Sequence, residues 1–269
     1  MRDLPVRIAT VNTWKGDGPY EARLATLCDQ LRTLDADVIA LQEALVAVDG
    51  SLSTPGCLAR ELGMTMATYA HRHKCRDVEG REVDSWSGLA LLSRWPIVEL
   101  VSHALPTDDE DGERGVLLGA IQTPAGIVRI ANTHLTHLRS RSELRREQLD
   151  AVLSDPFLGR PAAARFVCGD MNATPGTPEI GWLLGTTHDW HILDAYEAAD
   201  GPLMRATLSD RNCHVKPGTG ERVLDYIFSL ADTAQEHPYL VDARVVLDHP
   251  SDGGVFPSDH FGVTVSLAV

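Results

Sequence analysis

No apolar run in this chain reaches the roughly 18 residues that a bilayer-spanning helix needs, so no integral membrane association is expected. A signal-type apolar segment is also missing. Met1-Arg2-Asp3-Leu4-Pro5 runs directly into the strand-like Val6-Arg7-Ile8-Ala9-Thr10-Val11, which points to a cytoplasmic protein. The five cysteines are odd in number and lack paired spacing, which fits scattered free thiols better than a disulfide framework. Basic charge is scarce: 24 Lys+Arg against 38 Asp+Glu give a net charge of −14, wrong for broad neutralisation of a nucleic-acid backbone. A nucleic-acid ligand would need a local basic groove. Internal repeats and low-complexity linkers are absent, so residues 1–269 are expected to form one domain, and nothing signals an obligate protein partner. The 43% hydrophobic and 23% charged fractions are those of an ordinary globule with ample core material.

Strand-like and helical segments alternate. Leu24, Leu27, Leu31 and Leu34 recur at near-helical spacing behind Pro19, which suits a first helical turn. Val38-Ile39-Ala40-Leu41 is a compact buried strand ending in Gln42-Glu43. Ser53-Thr54-Pro55 starts a short helix that Gly63 can close. Residues 64–69, 88–93, 97–101, 116–122 and 127–133 read as extended runs punctuated by Gly or Pro. A helix is expected from about Ser142 to Leu153, with Ser140 and Glu143 at capping-box spacing. After the strand at 164–168, Thr177-Pro178-Glu179 begins another short helix that Gly185 can end, and strands follow at 223–228, 243–246 and 261–267. With strands outnumbering helices and many hairpin-length connectors, mixed sheets with helices on their outer faces fit better than a purely parallel sheet.

The most informative stretch is Ala164-Arg165-Phe166-Val167-Cys168-Gly169-Asp170-Met171-Asn172. A buried strand stops at a glycine, presents a carboxylate and a carboxamide, and is ended by Ala173-Thr174-Pro175-Gly176. Polar groups at strand ends recur: Asn12, Glu43, Asn132-Thr133-His134, Asp225 and Ser258-Asp259-His260. Any one of these reads as a cap or a solvated turn. Together, carboxylate, carboxamide and imidazole make up a hard-metal site beside a phosphate site, because carboxylate oxygens suit Mg²⁺ or Mn²⁺ while Asn and His donate to phosphate oxygens.

These residues carry a resemblance. Thr10-Val11-Asn12-Thr13-Trp14, Leu41-Gln42-Glu43, Ser87-Gly88-Leu89-Ala90-Leu91-Leu92-Ser93-Arg94, Asn132-Thr133-His134-Leu135, Gly169-Asp170-Met171-Asn172, Leu224-Asp225-Tyr226-Ile227-Phe228 and Ser258-Asp259-His260 resemble, in order, motifs of the endonuclease/exonuclease/phosphatase superfamily. That superfamily includes pancreatic deoxyribonuclease, apurinic endonucleases, bacterial sphingomyelinases, inositol polyphosphate 5-phosphatases and tyrosyl-DNA phosphodiesterases. The resemblance implies an α/β fold, a four-layer α/β/β/α sandwich of two mixed sheets flanked by helices. It also implies metal-dependent phosphoester hydrolysis with Mg²⁺ or Mn²⁺ as cofactor. Glu43 matches the principal metal ligand, and Asn12 and Asp259 match residues completing the metal surroundings. Asp170 matches the carboxylate that orients or deprotonates the attacking water, and Asn172 a phosphate ligand. His260 with Asp225 matches a pair that acts as general base or stabilises phosphoryl oxygens. His134 matches a group that contacts the phosphate or assists the leaving group, and Arg114 an arginine that some members aim at the substrate. In one departure, the acid that some members carry two residues after the first Asn is here Trp14. That removes a candidate second metal ligand and weakens the analogy with apurinic endonucleases.

Three clusters stand outside these motifs. His71-Arg72-His73-Lys74-Cys75 has no fourth ligand nearby and is read as a polar loop near the site mouth rather than a zinc site. Arg139, Arg141, Arg145 and Arg146 are read as a solvated helix face rather than a guide for anions. Thr107-Asp108-Asp109-Glu110-Asp111-Gly112 lacks EF-hand spacing and reads as an acidic surface loop. The acidic balance favours a small-molecule or lipid-derived phosphoester as substrate. A nuclease or DNA-end-processing phosphodiesterase is the rival reading, and a non-catalytic phosphate-binding protein of the same fold ranks below both.

Overall fold

The computed structural model describes residues 5–184, 189–232 and 235–268. In chain order the elements are β1 (Val6–Asn12), α1 (Tyr20–Leu34), β2 (Val38–Ala47), α2 (Thr54–Leu62), β3 (Thr65–Val78), β4 (Arg81–Ser93), β5 (Ile97–Ala104), β6 (Gly115–Thr123), β7 (Gly126–His134), α3 (Ser142–Leu153), β8 (Ala164–Asp170), α4 (Pro178–Leu183), β9 (Trp190–Asp194), α5 (Ala195–Ala198), β10 (Asp225–Asp232), β11 (Leu240–Val246) and β12 (Gly262–Leu267). They form two six-stranded sheets, ordered β11-β12-β1-β2-β4-β3 and β5-β6-β7-β8-β10-β9. Each sheet is mixed: β1–β2 and β7–β8 run parallel, and the other pairs are antiparallel.

Period-two alternation along the strands builds the layers. Ile8, Val38, Ala40 and Leu91 of the first sheet share one buried cluster with Ile130, Phe166, Cys168 and Ile227 of the second. Their neighbours point outward. Ala9, Ile39, Leu41 and Leu92 pack with Leu27 and Leu31 of α1 and Leu58 of α2. Ala131, Val167 and Phe228 pack with Leu149 and Val152 of α3 and Ile180 and Leu183 of α4. The result is the expected four-layer sandwich. No helix among the described residues is long and apolar enough to cross a membrane.

Helix ends follow local chemistry. Ser53 Oγ accepts the Gly56 N–H at 3.0 Å, Pro55 sits in the first turn, and Gly63 closes α2 in the left-handed region. Pro19 precedes α1 as its N-cap. The capping box expected at Ser140 does not form. The N-cap of α3 is Arg141, with no side-chain cap. The start of the helix is tied down instead by buried Arg145, which donates to the Thr136 and Leu138 carbonyls and to Glu179. Gly185, expected to end α4, lies outside the described residues.

Two strands differ from expectation. The polar loop expected at residues 71–75 is part of β3, which runs to Val78 and turns through Glu79-Gly80, with φ of 51° and 77°, into β4. Positive φ at both central residues is the tight-hairpin geometry that matches strand twist. His73 there pairs with Asp84 at 2.7 Å. Nor does β2 end at Gln42-Glu43: it continues to Ala47, and its register with β4 slips between Leu41 and Ala44.

Candidate active site

Gly169 sets the level of the site. Its φ is 146°, and a Cβ there would lie 1.9 Å from the Thr133 carbonyl oxygen. Only glycine lets β8 close against β7 at the last rungs, where Thr133 faces Gly169 and His134 faces Asp170. On the other side of β8, Asp225 faces Asp170 in the antiparallel register with β10. Three adjacent strands therefore present His134, Asp170 and Asp225 at one edge of the sheet.

Asp170 is 1% exposed. Its Oδ1 accepts the Asn172 N–H at 2.9 Å and its Oδ2 accepts Asn12 Nδ2 at 3.1 Å. His134 Nε2 lies 3.4 Å from Oδ2 and His260 Nε2 lies 3.9 Å from it. Burial pushes the carboxyl up to about 7, against the pull of the His260 charge and with Asp225 adding to the rise. His260 Nδ1 donates to Asp225 Oδ2 at 2.8 Å. Burial works to lower this imidazole's pKa, but Asp225, Asp170 and Asp259 outweigh it and hold the pKa well above the usual value. For His134, burial, Arg114, Lys15, His260 and His71 all act downward, so that ring is neutral. One charged and one neutral imidazole thus flank a single carboxylate. Thr207 braces the dyad: its Oγ1 accepts the Asp225 N–H at 3.1 Å and its carbonyl accepts the Phe261 N–H at 2.6 Å.

On the far side of His134, Nδ1 lies 4.0 Å from Glu43 Oε1. Glu43 occupies the β2 bulge with φ of 53°, and Trp14, Lys15 and Asn172 are also left-handed, at 54°, 45° and 49°. Each such residue costs about 1–3 kcal/mol, and strain of this kind concentrates where side chains are held for function. Lys15 Nζ lies 3.0 Å from Glu43 Oε1. Burial raises the Asp259 carboxyl, His260 pulls it back, and the Glu43 charge adds to the rise. Asn12 Oδ1 accepts the Trp14 N–H at 3.0 Å, which leaves that oxygen a second lone pair. Glu43, Asp259 and Asn12 therefore offer the hard oxygens that a divalent cation takes, and Glu43 already accommodates one cation, the Lys15 ammonium. Atoms of Asp170, Asp225 and His260 also lie within 4.8 Å of one another. There, however, Nδ1 of the ring is committed to Asp225.

Below the site, Gln42 Nε2 donates to Asn132 Oδ1 at 2.7 Å, and Asn132 Nδ2 donates to the Leu41 and Ala90 carbonyls at 2.9 Å. This buried amide bridge ties the two sheets together under the reacting groups. Sequence reasoning assigned no role to Gln42, Asn132, Thr207 or Lys15. The only signal for any of them is that Gln42 and Asn132 sit inside the motifs.

Eight of the nine expected residues converge: Asn12, Glu43, His134, Asp170, Asn172, Asp225, Asp259 and His260. One amide hydrogen of Asn172 is committed to the Leu135 carbonyl at 3.1 Å. Arg114 lies at the margin of this group, with its guanidinium already engaged. It forks onto Asp111 at 2.9 and 3.0 Å, meets His137 Nδ1 at 3.0 Å, and borders a recess shared with Glu43 and His134. The acidic stretch is therefore not all surface, because the Asp111 side chain is fully buried. The arginine cluster is a solvated face only in part, because Arg139 and Arg146 are exposed and Arg145 is buried. Arg145 is 4% exposed and paired with Glu179, Arg141 pairs with Asp108 and Glu110, and Arg146 pairs with Glu143. The cysteine and histidines of β3 make no zinc cluster among the described residues.

Residues 9–260 match the family model described as "Endonuclease/Exonuclease/phosphatase family". Among curated proteins no sequence matches the chain. Among solved structures, an endonuclease/exonuclease/phosphatase family protein from Leptotrichia buccalis superposes with a TM-score of 0.75 at 16% identity, covering 98% of this chain and 100% of that one. D. rerio TDP2 complexed with single strand DNA product gives 0.75 at 18% identity, covering 99% and 100%. An endonuclease/exonuclease/phosphatase from Beutenbergia cavernae gives 0.70 at 22% identity, covering 98% and 72%. At these identities the likeness concerns the fold.

Proposed function

Because the chain belongs to the Endonuclease/Exonuclease/phosphatase family, whose members are metal-dependent phosphoester hydrolases, we propose that it hydrolyses a small-molecule or lipid-derived phosphodiester at the edge formed by Asp170, His134, His260 and Glu43. The observation that carries this reading is the buried Asp170 carboxylate, flanked by one charged and one neutral imidazole and backed by a separate oxygen-rich set. Attack on an anionic diester needs a water aligned with the leaving oxygen and positive charge on the phosphoryl oxygens.

Asp170, held by Asn12 and the Asn172 N–H, orients the water and takes its proton. His260, kept cationic and in one orientation by Asp225, donates from Nε2 to a phosphoryl oxygen. Of the two roles open to this ring, its charge favours stabilising the phosphate over acting as base. Neutral His134 lies between Asp170 and Glu43 and assists the departing oxygen. Asn172 contributes its remaining amide hydrogen to the phosphate. Glu43, Asp259 and Asn12 would hold Mg²⁺ or Mn²⁺, which when bound polarises the phosphoryl oxygen and stabilises the leaving alkoxide.

The preference for a compact substrate over nucleic acid is supported by the net charge of −14 and by the pairing of Arg141, Arg145 and Arg146 with acids. The test is a panel of monoester, diester, phospholipid, phosphoinositide and oligonucleotide substrates with Mg²⁺, Mn²⁺ or chelator. Faster, salt-sensitive cleavage of oligonucleotides would refute the substrate class, and no metal-dependent turnover at all would refute the reaction.

A further inference from the structure

Beside Glu43 and His134 opens a recess of about 20 Å³, lined among others by Lys15, His71, Arg72, Glu113 and Arg114. It is smaller than the roughly 300–1,000 Å³ typical of pockets for drug-sized ligands. Two bulges build it. The register of β2 against β4 slips between Leu41 and Ala44, and that of β3 against β4 slips between Ala70 and Arg72. Both slips bracket Gly88, which pairs with Ala44 on one side and Ala70 on the other. A Cβ on Gly88 would lie 2.0 Å from the Tyr69 carbonyl oxygen. On a regular strand, adjacent His71 and Arg72 would face opposite sides, whereas the bulge brings both to the recess that Glu43 enters from β2.

Lys15, Arg72 and Arg114 share the recess with the acids Glu43 and Glu113. Arg114 is forked onto Asp111, and Lys15 is paired with Glu43. Arg72 has no acidic partner among the described residues, and its Nε is buried without a hydrogen-bond partner. Elsewhere arginines are mostly paired: Arg32, Arg60, Arg81, Arg94, Arg129 and Arg160 each hold an acid. In a chain of net charge −14, Arg72 is thus a guanidinium without an ion pair among the described residues, placed beside the reacting groups and not along a track that a polyanion could follow.

We infer that this recess is a subsite for a second anionic group, phosphate or carboxylate, carried by a compact phosphoester substrate and held by Arg72 with Lys15 and Arg114. The inference rests on the hydrolase reading for its place beside the scissile phosphate, but its test does not depend on turnover. A charge-assisted bond to a guanidinium gives an expected preference of at least about tenfold.

In calorimetric titrations of the Mg²⁺-loaded protein, phosphoglycolate, which bears both phosphate and carboxylate, should bind at least about tenfold tighter than methyl phosphate. Glycerol bisphosphate against glycerol phosphate separates a second phosphate from a carboxylate. Arg72→Met should abolish the preference and Arg72→Lys retain part of it, with thermal melts showing that both variants fold. Equal affinity for singly and doubly anionic ligands in the wild type, or an unchanged preference in Arg72→Met, overturns the subsite. So does a wild type that binds a single-stranded oligonucleotide more tightly than either bis-anion. Bis-para-nitrophenyl phosphate turnover, run in parallel with Asp170→Asn, reports separately on the hydrolase reading: its failure leaves the binding result standing, and the reverse holds too.

Discussion

Replacing Asp225 with asparagine removes a charge but almost no volume, and so isolates what the carboxylate does for His260. Asp225 is 0% exposed, Oδ2 holds His260 Nδ1 at 2.8 Å, and Oδ1 has no hydrogen-bond partner. Its side-chain hydrogen bond among the described residues therefore goes to one imidazole, although its charge also raises the neighbouring Asp170 carboxyl. Burial alone would discharge the ring, and Asp225 is foremost among the carboxylates that keep it cationic. A hydrogen bond to a charged group contributes about 1.5–3 kcal/mol, so Asp225→Asn should lower kcat about 10- to 150-fold if that charge acts at the phosphate. The sign in pH follows. With the carboxylate gone, the His260 pKa falls, so the variant should lose activity on the alkaline side at lower pH than the wild type. The assay is kcat against pH on bis-para-nitrophenyl phosphate, with an NMR titration of the His260 ring. Wild-type kcat with an unmoved alkaline limb would mean that the Asp225 charge does not act through His260.

Gly169→Ala should destabilise the protein by several kcal/mol, because a Cβ 1.9 Å from the Thr133 oxygen forces β7 and β8 apart; this exceeds the ~1–3 kcal/mol of backbone strain alone and is read by chemical denaturation. Burial raises the Asp111 carboxyl, but Arg114 and neighbouring donors hold it down to about 2. Its contribution is therefore present above the unfolded value of 3.8 and lost as pH falls towards about 2. Between those values, urea midpoints of Asp111→Asn should depend less on pH than those of the wild type. Mg²⁺ should raise the melting temperature of the wild type, by an amount equivalent to about 2.7 kcal/mol at a hundredfold excess over Kd, and Glu43→Gln should blunt that rise without lowering the metal-free midpoint by as much.

Much of this was legible because the informative signals are local. Ser53, Pro55 and Gly63 bound α2 through backbone chemistry written in neighbouring residues. The layers follow from alternation along single strands, as in Ile8 and Ala9 facing opposite sides. The motifs at the ends of β1, β7 and β8 and the start of β10 identified the residues that converge. What stayed hidden depends on partners distant in sequence. The bulge at Glu43 exists only against β4, and that at His71 only against the same strand. A row of His, Arg and Lys resembles a loop until the Glu79-Gly80 turn pairs it with Arg81 and the residues beyond. β9 and α5 are short, and they pack where β10 and β11 lead them. Arg145 looked solvated because its partner, Glu179, lies 34 residues away.

In the proposed mechanism Asp170 directs metal-dependent attack on a phosphodiester. The most direct measurement is the initial rate of bis-para-nitrophenyl phosphate hydrolysis by folded wild type and Asp170→Asn, each with Mg²⁺ and with chelator. The wild type should turn over with metal and not above background with chelator, and Asp170→Asn should lose about 10²–10⁴-fold. Turnover that survives chelation, or an Asp170→Asn variant as fast as the wild type, would contradict that mechanism.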